Sequence, residues 1–108
     1  MDPWYKQSRW KAKREHILRR DGYMCQLSKR YGINRPADMV HHVFPRDEFP
    51  EYTWADWNLI SLTNAMHDRL HDRNTRALTD EGVKLLRRIA RKNNIPVPER
   101  YRDLPPSS

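Results

Sequence analysis

A small α+β fold is what this sequence predicts, on three observations. Segments with apolar residues at helical spacing lie at residues 9–20 and 79–93. Between them are short stretches of strand character, punctuated by Gly, Asn and Pro. Finally, 108 residues with 37% hydrophobic content and a mean hydropathy of −1.06 leave room for one domain with a small core. Such a core needs help from aromatics, a metal or a partner.

Each element follows from local chemistry. Ser8 predicts the cap of a first helix over 9–20, with Trp10, Arg14, Ile17 and Leu18 near one stripe and Asp21-Gly22 as its terminating turn. Tyr23 to Leu27 reads as a short strand, Lys29 to Pro36 as a basic loop, and Ala37 to Val43 as a second strand. Pro45 and Pro50 bound an irregular charged loop, and Trp54 to Trp57 predicts one helical turn leading into Asn58. Thr63 or Asn64 caps a helix carrying His67 and His71 and ending near Arg73. Thr79, Asp80 and Glu81 open the last helix, which runs to about Asn93. Val83, Leu86, Ile89 and Ala90 are its expected buried positions, with Lys84, Arg87, Arg88, Arg91 and Lys92 outside. The proline-containing stretch 95–108 is expected to be an extended tail.

The net charge of +7 is unevenly placed. Residues 1–35 carry ten Lys/Arg against three acids, residues 36–83 four against nine, and residues 84–108 seven against two. Basic flanks around an acidic middle suit a polyphosphate partner, since Lys and Arg displace its counterions. No apolar run reaches the length of a membrane span, and the first residues lack the apolar core of a secretion signal. The single cysteine, Cys25, forms no intramolecular disulfide, so a reducing cytoplasm is the expected compartment.

Chemistry concentrates in His41-His42, Asn58, His67 and His71. Neutral imidazole is both a common metal ligand and a general base suited to neutral pH. Histidines at i and i+4 of a helix share one face and can grip one ion. Adjacent residues of a strand point to opposite faces, so one histidine of the doublet can ligate while the other works on a water. This combination reads as a one-metal hydrolytic site.

Four ordered blocks resemble the HNH endonuclease family: Arg20-Asp21-Gly22-Tyr23-Met24-Cys25, Val40-His41-His42-Val43-Phe44-Pro45, Trp57-Asn58-Leu59-Ile60-Ser61-Leu62 and Met66-His67-Asp68. The resemblance is greatest to the small stand-alone nucleases of bacteriophages and covers roughly residues 9–80. The order HH, N, HxxxH is also similar to that of the colicin-type DNases. It implies a ββα-metal core, about residues 20–76 of a single domain spanning 1–108, with flanking N- and C-terminal helices. The implied activity is metal-dependent hydrolysis of DNA phosphodiester bonds, nicking double-stranded DNA. Phage terminase or portal is the implied partner, in the bacterial host cytoplasm. Two competing readings are a non-catalytic DNA-binding accessory on the same fold and a toxin-type nuclease domain.

The resemblance assigns roles. His42 is the expected general base, Asn58 the residue that keeps it placed, and His41, His67 and His71 the expected ligands of one divalent ion. Magnesium or manganese is expected, and imidazole ligands also suit zinc or nickel. His71 is the least supported ligand, because many relatives lack it. Arg69, Arg73 and Arg76 are expected to contact nucleic acid through the fixed fork of guanidinium donors. His16 lies outside the motif and reads as structural or solvent-facing. Many relatives brace this region with zinc on two Cys-x-x-Cys pairs. Here the matching segments are Cys25-Gln26-Leu27-Ser28 and Thr63-Asn64-Ala65-Met66, so three of four thiolates are missing and no structural zinc is expected. Cys25 and Met66, with Leu27 and Leu62, are expected to fill that space as apolar packing. Cleavage specificity and oligomeric state are not legible.

Overall fold

The first expected helix forms as α1, Ser8–Arg20, in a computed structural model that describes residues 2–102. Ser8 opens the helix rather than capping it, and Gln7 stands at the cap without a side-chain bond. Gly22 follows at φ +63, a left-handed turn that costs no Cβ strain there. Trp10, Ile17 and Leu18 are buried, as their spacing demands. Arg14 stays half-buried and reaches out to donate to the Asp38 carbonyl at 3.2 Å.

The strand expected at Tyr23–Leu27 is absent, and in its place is a short helix α2, Gln26–Arg30. Met24 makes only an isolated bridge with Pro36. Local capping outweighs β propensity here: the Cys25 sulfur accepts from the Ser28 N–H, and the Gln26 amide donates to the carbonyls of Asp21 and Met24.

Strand β1, Met39–His42, sits within the expected segment and pairs antiparallel with β2, Leu59–Leu62, which the sequence did not announce. The register matches His41 with Ile60 and His42 with Leu59. Side-chain alternation puts Val40, His42, Leu59 and Ser61 on one face, and Met39, His41, Ile60 and Leu62 on the other. Both faces are covered. Val40 and Leu59 pack with Trp10, Ile17 and Leu18 of α1, while Ile60 and Leu62 join the larger core of Cys25, Phe44, Leu70 and the last helix.

A two-stranded ribbon leaves backbone groups on its outer edges, which must find partners. The end of α1 supplies them for β2. Arg20 donates to the Leu59 carbonyl at 2.6 Å, and the nearly buried Asp21 carboxylate accepts from the Ser61 N–H at 3.0 Å. A short 3-10 turn, Asp56–Asn58, delivers the chain into β2, two residues later than the helical turn expected at 54–57.

Helix α3, Asn64–Asp68, is capped by Thr63 and stops well before Arg73, so His71 lies outside it. Two events end it. Leu70 turns into the core, where it is 1% exposed, and Thr79 captures the Arg69 and Leu70 carbonyls at 2.6 and 2.9 Å. His71 instead bridges Leu78.

The final helix α4, Asp80–Lys92, starts from Thr79, whose hydroxyl accepts from the Gly82 N–H. Val83, Leu86 and Ala90 are buried, together with Leu85; Ile89 is half-buried against the core. Arg87 and Arg88 are half-buried too, not fully outside. The expected extended tail is only partly so. Ile95 and Val97 pack on the core, and Glu99–Tyr101 form a 3-10 turn whose Tyr101 is 6% exposed and donates to Glu48. The rest of that stretch, 103–108, lies outside the described residues. No described helix is long and apolar enough to cross a membrane.

Candidate active site

Strand alternation separates the histidine doublet into two environments. His41 faces α3 and is 3% exposed, with its ring centroid 5.1 Å from that of His67 and 5.2 Å from that of His71. The His67 and His71 centroids are 4.9 Å apart, so the set converges although the two do not share a helix. One ring nitrogen from each of the three residues lies within 4.8 Å of the others.

His71 is oriented by the loop beyond α3. Its Nδ1–H donates to the Arg76 carbonyl at 3.1 Å, which leaves Nε2 unprotonated and able to ligate an ion. That carbonyl is aimed by a left-handed residue, Arg76 at φ +66, a conformation that costs a residue bearing a Cβ about 1 kcal/mol or more. Asp72 holds the loop by accepting from the Asn74 and Thr75 N–H groups at 2.9 and 2.8 Å.

The donor set fits a divalent cation. The Nε2 of His41 is buried with no hydrogen-bond partner among the described residues, and leaving such a group unsatisfied costs about 1–3 kcal/mol. Burial, reinforced by the neighbouring imidazoles, holds His41 well below the usual imidazole range, and burial followed by His71 lowers His67. Both are therefore neutral near pH 7, the form that ligates. Three protein ligands leave positions open for substrate, as a catalytic rather than a structural site requires.

His42 faces the opposite way, into aromatics. Its ring stacks on Trp10, 5.2 Å away at 23°, and meets Trp4 edge-on at 5.7 Å. Its Nε2–H donates to the Thr53 carbonyl at 3.1 Å, so Nδ1 is left unprotonated as the acceptor. Burial pushes His42 down to about 4 despite the opposing Thr53 bond, and the positive charge of Arg46 adds to the depression. The imidazole is thus neutral and fixed with one free nitrogen, able to accept a proton as a general base does, while its burial lowers its basicity.

Asn58 supports that carbonyl. Fully buried, it accepts from the Phe44 N–H at 2.7 Å and donates to the Phe44 and Tyr52 carbonyls at 3.2 and 3.1 Å. It thereby ties Phe44, two residues beyond β1, to Tyr52, the neighbour of Thr53.

Both environments open onto one groove of about 1060 Å³, which also contacts Arg73 and Arg76. Arg69 is not on its wall and pairs with Glu81 at 3.2 Å. Sequence reasoning missed three other cations on the groove, Lys11, Arg14 and Arg46, and the stacking role of Trp10. No spacing rule links Arg46 or Trp10 to the doublet; only the fold brings them to it. His16 lies elsewhere, exposed and 2.9 Å from Asp56. The segments matching the cysteine pairs are built from caps and apolar packing. Cys25 and Thr63 accept from the Ser28 and Met66 N–H groups, and Leu62, with Leu27 and Met66 partly buried, joins Cys25 in the core.

No family model and no curated protein matches this chain. Among solved structures it is similar to the HNH endonuclease of the deep-sea thermophilic bacteriophage GVE2, determined with a manganese ion. The two are 29% identical over 61% of this chain and 72% of the other, with a TM-score of 0.59.

Proposed function

We propose that this chain, which has the ββα-metal fold of the HNH endonucleases and resembles that family, is a metal-dependent endonuclease that nicks double-stranded DNA. The observation that carries the reading is the split doublet: His41 joins two convergent imidazoles, while His42, on the wall of the same groove, keeps Nδ1 free of a hydrogen bond.

His41, His67 and His71 would hold one divalent ion. Such an ion, when bound, supplies Lewis acidity toward a phosphate oxygen and the departing 3′ oxygen. His42 Nδ1 takes a proton from a water whose oxygen attacks phosphorus in line; the bond from phosphorus to the 3′ oxygen breaks, and that oxygen takes a proton from solvent, leaving 5′-phosphate and 3′-hydroxyl ends. Thr53 holds the tautomer of His42, Trp10 its plane, and Asn58 the loop that carries Thr53. Arg73 and Arg76, which line the groove, would meet backbone phosphates, and Arg69 would first have to release Glu81. Manganese or magnesium is the proposed ion, and the bacteriophage origin of the similar nuclease makes a packaging terminase or portal the proposed partner.

Supercoiled plasmid incubated with manganese, with and without chelator, tests this. Conversion to open circles that chelator abolishes is the expected result. Plasmid retarded on a gel but never relaxed would instead mean a DNA-binding accessory.

A further inference from the structure

Arg46 is held beside His42 in a manner that its visible partners do not account for. Its guanidinium lies 4.3 Å over the Trp4 ring and 5.5 Å from that of Tyr5, and one Nη donates to Asp2 at 2.9 Å. Trp4 in turn meets the His42 ring, so the 3-10 turn Pro3–Lys6 clasps a cation at the base histidine. The side chain is only 23% exposed, and its Nε is buried without a hydrogen-bond partner among the described residues. Its ionic partner, Asp2, is 48% exposed, and pairs of that kind contribute little to stability. Ordering a long side chain and stripping water from its charge is unfavourable, so an anchoring role alone is a poor return for the arrangement. The guanidinium nevertheless faces the same groove as the four histidines.

We propose that Arg46 is a catalytic residue that binds the reacting phosphodiester, its remaining N–H groups meeting a non-bridging oxygen on the His42 side of the groove. This rests on the hydrolytic reading above. A planar guanidinium fixed in advance against tryptophan offers the N–H groups that Asp2 leaves free to phosphate, without reorganising as charge builds in the transition state.

Three variants separate this from a purely structural role. Arg46→Ala should lower kcat for plasmid nicking about 10²-fold, the usual effect of losing one such donor, while manganese affinity measured by calorimetry stays unchanged. Arg46→Lys, which keeps the charge but loses the fork, should recover part of that loss. Asp2→Asn breaks the ion pair and keeps the guanidinium, so it should cost about fivefold at most. The proposal is overturned if Arg46→Ala retains wild-type kcat, if only KM rises, or if Asp2→Asn is as damaging as Arg46→Ala. A wild-type protein inert with manganese would defeat the nuclease reading and this with it; an active wild type beside an equally active Arg46→Ala would defeat this alone.

Discussion

The two faces of one four-residue strand, Met39–His42, hold its two adjacent histidines in different surroundings. On the His41 face three imidazoles converge, one nitrogen is orphaned, and the walls come from α3 and the loop after it. On the His42 face one imidazole is wedged among tryptophans, satisfied by a backbone carbonyl, and covered by α1 and the first 3-10 turn. A single peptide step thus separates a histidine in a cluster of three imidazoles from one packed alone among aromatic rings. A strand does this where a helix cannot, because consecutive side chains on a strand are 180° apart.

The sharpest way to break the comparison is to empty each face in turn. His42→Ala should lower the nicking rate by about 10²–10⁴-fold while manganese titrates as in wild type. His67→Ala should lose manganese affinity in calorimetry, with the rate falling as a consequence. Were His42→Ala to lose the metal, or His67→Ala to bind it undiminished, the two faces would not be functionally distinct.

Next in size is the support beneath His42. Asn58→Ala strands a buried N–H of Phe44 and two carbonyls, and should destabilise the protein by about 3 kcal/mol in urea unfolding. Its rate, measured well below the melting transition, should fall less than that of His42→Ala, since the reacting nitrogen is still present.

On the metal face the corresponding support is Gly82. A Cβ there would press on the Leu70 carbonyl oxygen and crowd Leu78, next to His71 and its bridge partner. Gly82→Ala should therefore cost about 1–3 kcal/mol despite alanine's better helix propensity, and should weaken manganese binding without touching a ligand. A more stable variant would show that α4 is free to shift.

The smallest effect is on the cover of the His42 face. Asp56 accepts from Lys13 and His16 of α1, and those two, Lys13 first, hold its carboxyl below the ordinary value. Its contribution is thus fully present above the ordinary carboxylate pKa and fades as the pH falls through the lowered one. Being largely exposed, it is worth no more than about 1 kcal/mol. Asp56→Asn should lose that increment at neutral pH and show a flatter acid limb in stability against pH, with nicking at pH 7 little changed.

Both long helices were legible in the chain because their signals are local. Thr79 with two acids marks the start of α4, and Trp10, Ile17 and Leu18 repeat at helical spacing in α1. Strand β2 was illegible for the opposite reason. Leu59–Leu62 is buried on both faces, so the alternation that betrays a half-exposed strand is missing. The segment at 23–27 misled because Tyr23 and Cys25 favour β structure in isolation, whereas a sulfur cap closes a helical turn there.

For the site, residue identity by itself determined the inventory: a histidine doublet, an asparagine and two later histidines. Chemistry and order sufficed for that, since both travel with the chain. Tertiary structure alone decided that α3 ends before His71 yet delivers it to His41 through the Arg76 carbonyl, that Thr53 sets the tautomer of His42, and that Arg46 stands beside it. Those outcomes depend on backbone carbonyls and stacked rings drawn from distant segments, and such groups carry no residue-type signature until folding brings them together.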